Sequence, residues 1–268
     1  MPDAAPFRSL NAFSPEYLAR FTRRQAALFH LGVSALVAAT IVALMLLLWY
    51  PSPYFAASGG EKLLVLIIGV DVILGPLLTL IVFNPAKKSL VYDLAAIVML
   101  QIAALIYGVN VMANARPAFI VYVRGAFDVV AANDVVAEGL AEAKRPEFRS
   151  LSLTGPRLAS ARIPIDPGME MRITMESMNG GSDFSAYPRF YIPYATDSRD
   201  AAARGKPLTE LAKSSAENAE DVAKLVNASG KPVESLVYLP LHTRSGVMAI
   251  VLGKPEGDVV GVLPAFVR

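Results

Sequence analysis

The chain has 268 residues, a formal charge of +2 and 54% hydrophobic residues, above the roughly 45–50% usual for a soluble domain. Cysteine is absent, which excludes disulfides, thiolate catalysis and thiolate-ligated metals. From Pro117 onward 17 Lys+Arg stand against 18 Asp+Glu, so the chain lacks the basic stripe that nucleic-acid binding requires.

Residues 1–28 form a basic arm carrying Arg8, Arg20, Arg23 and Arg24. Three stretches long enough to span a bilayer follow, at about 29–50, 62–83 and 92–112, since about 20 mostly apolar residues suffice. Trp49 and Tyr50 close the first span at the depth where aromatic rings favour the headgroups, and Pro51 stops the helix. Arginine and lysine set the orientation. The arm together with Lys87 and Lys88 outweighs Lys62, Arg116 and Arg124, which predicts a cytoplasmic N-terminus and an extracytoplasmic domain over 116–268. A cleaved signal peptide is the alternative for the first span, but its apolar core exceeds the usual 7–15 residues.

Asp71 is the strongest single signal. A carboxylate at mid-bilayer costs about 2.5–3.5 kcal/mol on insertion scales, so it faces the protein interior. A rise of 1.5 Å per residue brings Gln101 on the third span and Thr40 on the first to a similar depth. Asp71, Gly75 and Thr79 share one face at i, i+4 and i+8, and small residues there let another helix approach. Pro76 removes a backbone donor and predicts a kink near Val72. Two readings stay open: Asp71 bonds Gln101 or Thr40 and holds the bundle together, or this face receives a partner helix or ligand.

Beyond Arg116-Pro117 the pattern predicts an α+β domain, an antiparallel sheet with helices on one face. AFIVYV and FDVVAA read as a hairpin around Arg124-Gly125. Asp134–Lys144 and the MEMRITMESM run read as helices, Leu158–Ile163 as a strand, and Pro207–Asn227 as one or two helices. SLVYLPLHT, VMAIVL and DVVGVLP read as a meander with turns at Ser245-Gly246 and Glu256-Gly257. Tyr187, Phe190, Tyr191 and Tyr194 lie in a proline-punctuated loop or edge strand. They form either a recognition patch, since tyrosine is enriched in binding surfaces, or part of the core. Catalytic, phosphate-binding and metal motifs are absent from the sequence. No enzymatic activity, cofactor or metal is expected, and His242 reads as a surface or core histidine.

Several stretches together carry a resemblance: LLLWYPSPYF, then IGVDVILGPLLTLIVFNPAKKSLVYDL, then Gln101, Tyr107-Gly108 and Arg116-Pro117. In the outer domain FDVV, TGPRL, RFYIPY, KPLTEL and VYLPL continue it. From about His30 to Phe266 the chain resembles the type IV pilin accessory proteins of the TfpX/TfpZ type, related to FimB-like fimbrial proteins. The resemblance implies a non-enzymatic helper of type IV pilus biogenesis in the bacterial inner membrane, assisting pilin stability, assembly or pilus dynamics. Its implied partners are the major pilin, further inner-membrane assembly proteins and the lipid bilayer. A membrane-anchored periplasmic sensor or ligand-binding protein is the alternative; against it, about 28 residues ahead of the first span are too few for an output domain.

Overall fold

The computed structural model describes residues 20–58, 64–65, 68–164 and 166–264. Contacts divide the chain into two units. One holds the described residues of Met1–Ala43 and Lys62–Val111, the other those of Leu44–Glu61 and Met112–Arg268.

In the first unit, helix α1 runs over Arg23–Leu44, six residues earlier than the expected span. A reciprocal cap sets its start. The Thr22 hydroxyl accepts from the Gln25 backbone N–H, while the Gln25 carboxamide accepts from the Thr22 N–H. With the π-helical turn Met45–Trp49 that continues it, α1 is long and apolar enough to cross a bilayer, and so is Leu90–Ala115, here called α4. Only 17% of the most apolar window of each is buried. Leu28, Phe29, Leu36, Met99 and Ile106 stand exposed, and a helix apolar all round is a lipid-facing helix unless protein covers it.

The expected three-helix bundle is met only in part. Part of the 62–83 stretch lies outside the described residues, and its described apolar helix, Gly69–Val82, is shorter than a full span. That helix opens with a π-helical turn, Gly69–Leu74, and continues as α3, Gly75–Val82. The Gly75 N–H bonds the carbonyl of Val70, five residues back. Pro76 has no N–H to return to residue 72, and the wider turn absorbs the misfit at the place where the sequence predicts a kink.

The second unit is built on an eight-stranded sheet. Strands β1 (Pro117–Val123) and β2 (Ala126–Ala131) form the expected hairpin. Its two-residue turn has positive φ at both Arg124 and Gly125, the backbone that matches strand twist. A short helix α5 covers Ala137–Ala141, β3 Arg157–Ala161, α6 Pro167–Met178 and β4 Tyr191–Pro193. Helix α7 is Ser198–Arg204, β5 Lys206–Pro207, α8 Leu208–Ser214 and α9 Ala216–Ser229. The chain then makes the predicted meander β6 (Leu236–Thr243), β7 (Gly246–Gly253) and β8 (Val259–Leu263). A four-residue helix, Tyr54–Ala57, is α2.

The sheet is mixed, not antiparallel. Its order is β4-β3-β1-β2-β6-β7-β8, with β5 pairing β6. β1 pairs β3 in parallel, and β2 pairs β6 in parallel through Phe127↔Leu241 and Asp128↔His242. Parallel neighbours need long crossovers, and the one from β2 to β6 contains helices α5 to α9. Local turn chemistry reveals hairpins and cannot reveal such a join.

Helices also cover both faces rather than one. Every residue of β1 is buried. Phe119, Val121 and Val123 enter one core cluster with Ile173 of α6, and Ile120 and Tyr122 enter another with Ala201 and Ala202 of α7. On β6, Val237, Leu239 and Leu241 join that second cluster, whereas Leu236 and Tyr238 meet Leu208, Leu211 and Val222 of α8 and α9. A strand buried on both sides reads as a continuous apolar run, as FIVYV does.

The segment after α1 belongs to this unit. Tyr50 is fully buried, donates to the Met112 carbonyl at 2.7 Å and meets the ring of Phe55 edge-on. The Gly155 N–H bonds the Leu48 carbonyl at 2.6 Å, and Tyr54 packs against the second cluster.

Candidate functional site

The polar residues of the first unit converge. Asp71 lies in the π-helical turn and is 6% exposed. The Gln101 side chain of α4 donates from Nε2 to the Asp71 backbone carbonyl at 3.0 Å and toward Ser34 Oγ of α1 at 3.5 Å. Gln101 Oε1 accepts from His30 Nε2 at 2.8 Å, and His30 Nδ1 pairs with the Thr79 hydroxyl at 2.6 Å. Three helices are thereby joined through one histidine and one carboxamide. Asp71 Oδ1 stands out: it is buried and has no hydrogen-bond partner among the described residues.

Gly75 and Pro76 are buried as well. A Cβ at residue 75 would lie 2.1 Å from Gln101 Nε2. At Gly75 the space left by the missing side chain is therefore filled from within by Gln101. Thr40 does not join the cluster: it is exposed, and its hydroxyl turns back to the Leu36 carbonyl at 2.8 Å, the local bond that helical threonines commonly make. Sequence reasoning at matching depth finds Gln101 but misses His30 and Ser34. His30 lies at the start of the expected first span, where spacing does not show which way a side chain points.

Beside the cluster is a cavity of about 470 Å³ within the first unit. Asp71, Thr79, Gln101, His30 and Ser34 contribute its polar lining. The rest is apolar and follows a seam on each flanking helix. On α1 the lining residues fall at 26, 29, 30, 33, 34 and 37, and on α4 at 94, 98, 101, 102 and 105. Spacings of three and four repeated over about three turns are those of a helix surface that packs against another helix. Among the described residues no group of three or more His, Asp or Glu is placed to hold a metal.

The outer aromatic residues make core instead of a recognition patch. Tyr187, Tyr191 and Tyr194 are each less than a tenth exposed, and they belong to two different clusters on opposite faces of β1. Their hydroxyls are spent internally: Tyr191 donates to the Ser185 carbonyl, Tyr194 to the Gly257 carbonyl at 2.7 Å, and Tyr187 to Glu176. Burial raises the phenol pKa of all three above its ordinary value. Phe190 is half-buried, with the Arg189 guanidinium stacked 4.9 Å from its ring centre. His242 is half exposed and pairs with Asp128 at 2.8 Å across the parallel join.

One unit of apolar helices with a polar cluster and one α/β unit on a mixed sheet are compatible with a membrane-associated protein, and comparison with known sequences narrows the class. The family described as "Fimbrial assembly protein FimB" matches over residues 20–59, which include the cap, α1 and the buried Tyr50. The chain is 31% identical over 229 residues to the fimbrial assembly protein of serogroup I from Dichelobacter nodosus, covering 84% of this chain and 88% of that protein. The serogroup E1 protein of the same organism matches with the same identity and coverage. The protein of serogroups C1 and C2 is 37% identical over 116 residues, 42% of this chain and 88% of that one. No solved structure matches. The chain belongs to the FimB family of fimbrial assembly proteins.

Proposed function

We propose that this protein is a non-enzymatic accessory factor of type IV pilus biogenesis that holds the apolar helix of the major pilin in the bacterial inner membrane before it enters the fibre. In this reading the N-terminus is cytoplasmic, the helices cross the bilayer, and the second unit is periplasmic. Family membership supports the fimbrial role, because the relatives are named for fimbrial assembly. The observation that carries the docking step is the cavity with a helix-type seam on both α1 and α4.

Helices associate in lipid through close van der Waals packing and interhelical hydrogen bonds, without a hydrophobic drive. A groove that offers packing over about three turns and one polar contact gives a reversible hold. That suits a factor which must release its client. Asp71, Thr79 and Gln101 form the floor of the groove, and Pro76 sets the turn that presents Asp71. Other inner-membrane assembly proteins would take over the released subunit.

The test is photo-crosslinking in cells from residue 102, on the groove, and from Met99, exposed on α4 and absent from the cavity lining. A pilin adduct from residue 102 and none from residue 99 is expected. Equal capture at both positions, or at neither, would remove the docking step.

A further inference from the structure

The structure assigns Asp71 a second task, resting on the docking reading above: its free carboxylate oxygen receives an amine cation carried by the docked helix. Asp71 is nine-tenths buried, lines the cavity, and keeps Oδ1 unpartnered among the described residues. A buried polar atom without a partner is rare, and this one belongs to a residue that lines the cavity.

The neighbours narrow the chemistry. From α4, Gln101 sends its Nε2 to the backbone carbonyl of Asp71 and toward Ser34, not to the carboxylate. From α1, His30 spends both ring nitrogens on Gln101 and Thr79. Thr79 of α3 faces His30. The Gln101 amide and the His30–Thr79 pair are thus committed elsewhere. Asp71 makes no ion pair among the described residues, and Lys87, a cation of the loop before α4, pairs with Asp93 at 2.5 Å.

A carboxylate and an ammonium that enter hydrocarbon separately are each costly. Placed together in a low dielectric, they attract strongly. A compact ammonium needs only the single oxygen Oδ1, whereas a planar guanidinium binds carboxylates through a two-pronged fork. The occupant therefore bears either a lysine side chain or a free α-amino group at this depth. The groove selects it by that charge as well as by shape.

The experiment uses the full-length protein in cells, with the photo-crosslinker at residue 102 and the major pilin as the probe. Asp71→Glu, Asp71→Asn and Asp71→Leu are compared at matched protein levels. The expected result is an adduct retained in Asp71→Glu and reduced about tenfold or more in Asp71→Asn and Asp71→Leu, as when one partner of a buried charge pair is removed. Peptide mass spectrometry of the adduct identifies the amine: capture within the first turn of the pilin means the α-amino group, and capture beside a lysine means the side chain. Retention in Asp71→Asn with loss in Asp71→Leu would replace the cation by a neutral donor and overturn the proposal. Retention in all three would take Asp71 out of the contact while leaving docking intact. An adduct missing from the unsubstituted protein would defeat docking itself.

Discussion

At residue 75 the missing side chain serves the interior of the unit. Gln101 reaches into the space a Cβ would fill, and from there it holds Asp71, Ser34 and His30. The atom that clashes is the far end of a flexible side chain, so Gly75→Ala is expected to leave the helices folded and to push Gln101 away. Alanine gains about 1 kcal/mol in helix propensity, which offsets hydrogen bonds worth roughly 0.5–1.5 kcal/mol each. The net change in thermal midpoint should be small. The diagnostic is non-additivity: combining Gly75→Ala with Gln101→Ala should cost no more than Gln101→Ala alone, measured by thermal unfolding in detergent. Effects that sum would separate Gly75 from Gln101. The same reasoning shows why Thr40 misleads. Matching depth along a helix places a residue at a level but leaves its direction around the axis open.

Among the elements, the turn between β7 and β8 shows how a helix is held on the sheet. Gly257 has φ +77°, and a Cβ there would meet the Ser198 carbonyl oxygen at 1.9 Å, at the start of α7. The Tyr194 hydroxyl donates to the Gly257 carbonyl. This turn therefore fixes α7, whose Ala201 and Ala202 pack into the second cluster. Gly257→Ala combines a left-handed backbone with a backbone clash, and should destabilise the second unit by about 3 kcal/mol. Gly180, at φ +82°, has no atom within 4 Å of its missing Cβ, so Gly180→Ala should cost only about 1 kcal/mol of backbone strain. Thermal unfolding of the two variants side by side checks the order, and equal losses would contradict it. Gly257 is legible as a turn residue in the sequence. The close approach that separates it from Gly180 is not, because Ser198 and Gly257 are far apart in the chain.

For the whole molecule the proposed topology, a cytoplasmic N-terminus and a periplasmic second unit, is measurable because cysteine is absent. A single cysteine at Met178, 83% exposed in the second unit, reports one side, and one at Lys88, between the apolar helices, reports the other. In cells with a permeabilised outer membrane, an impermeant maleimide is expected to label Met178→Cys and to spare Lys88→Cys until the inner membrane is opened. The reverse pattern would invert the topology read from the arginine and lysine distribution.

Patterns of short range were legible in the residues alone: the apolar windows, the disturbance at Pro76, the Arg124-Gly125 hairpin and the three-strand meander. Each is written in neighbouring residues, through hydropathy, a missing N–H or turn backbone. The family likeness rests on such local stretches too. Tertiary structure alone decided the parallel join of β2 to β6, the sinking of Tyr187, Tyr191 and Tyr194 into two cores, and the recruitment of His30 to Thr79 and Gln101. Those outcomes depend on residues brought together across long stretches of chain, where spacing carries no period, and on which face of a helix or strand ends up covered. That is settled only when all the elements pack at once.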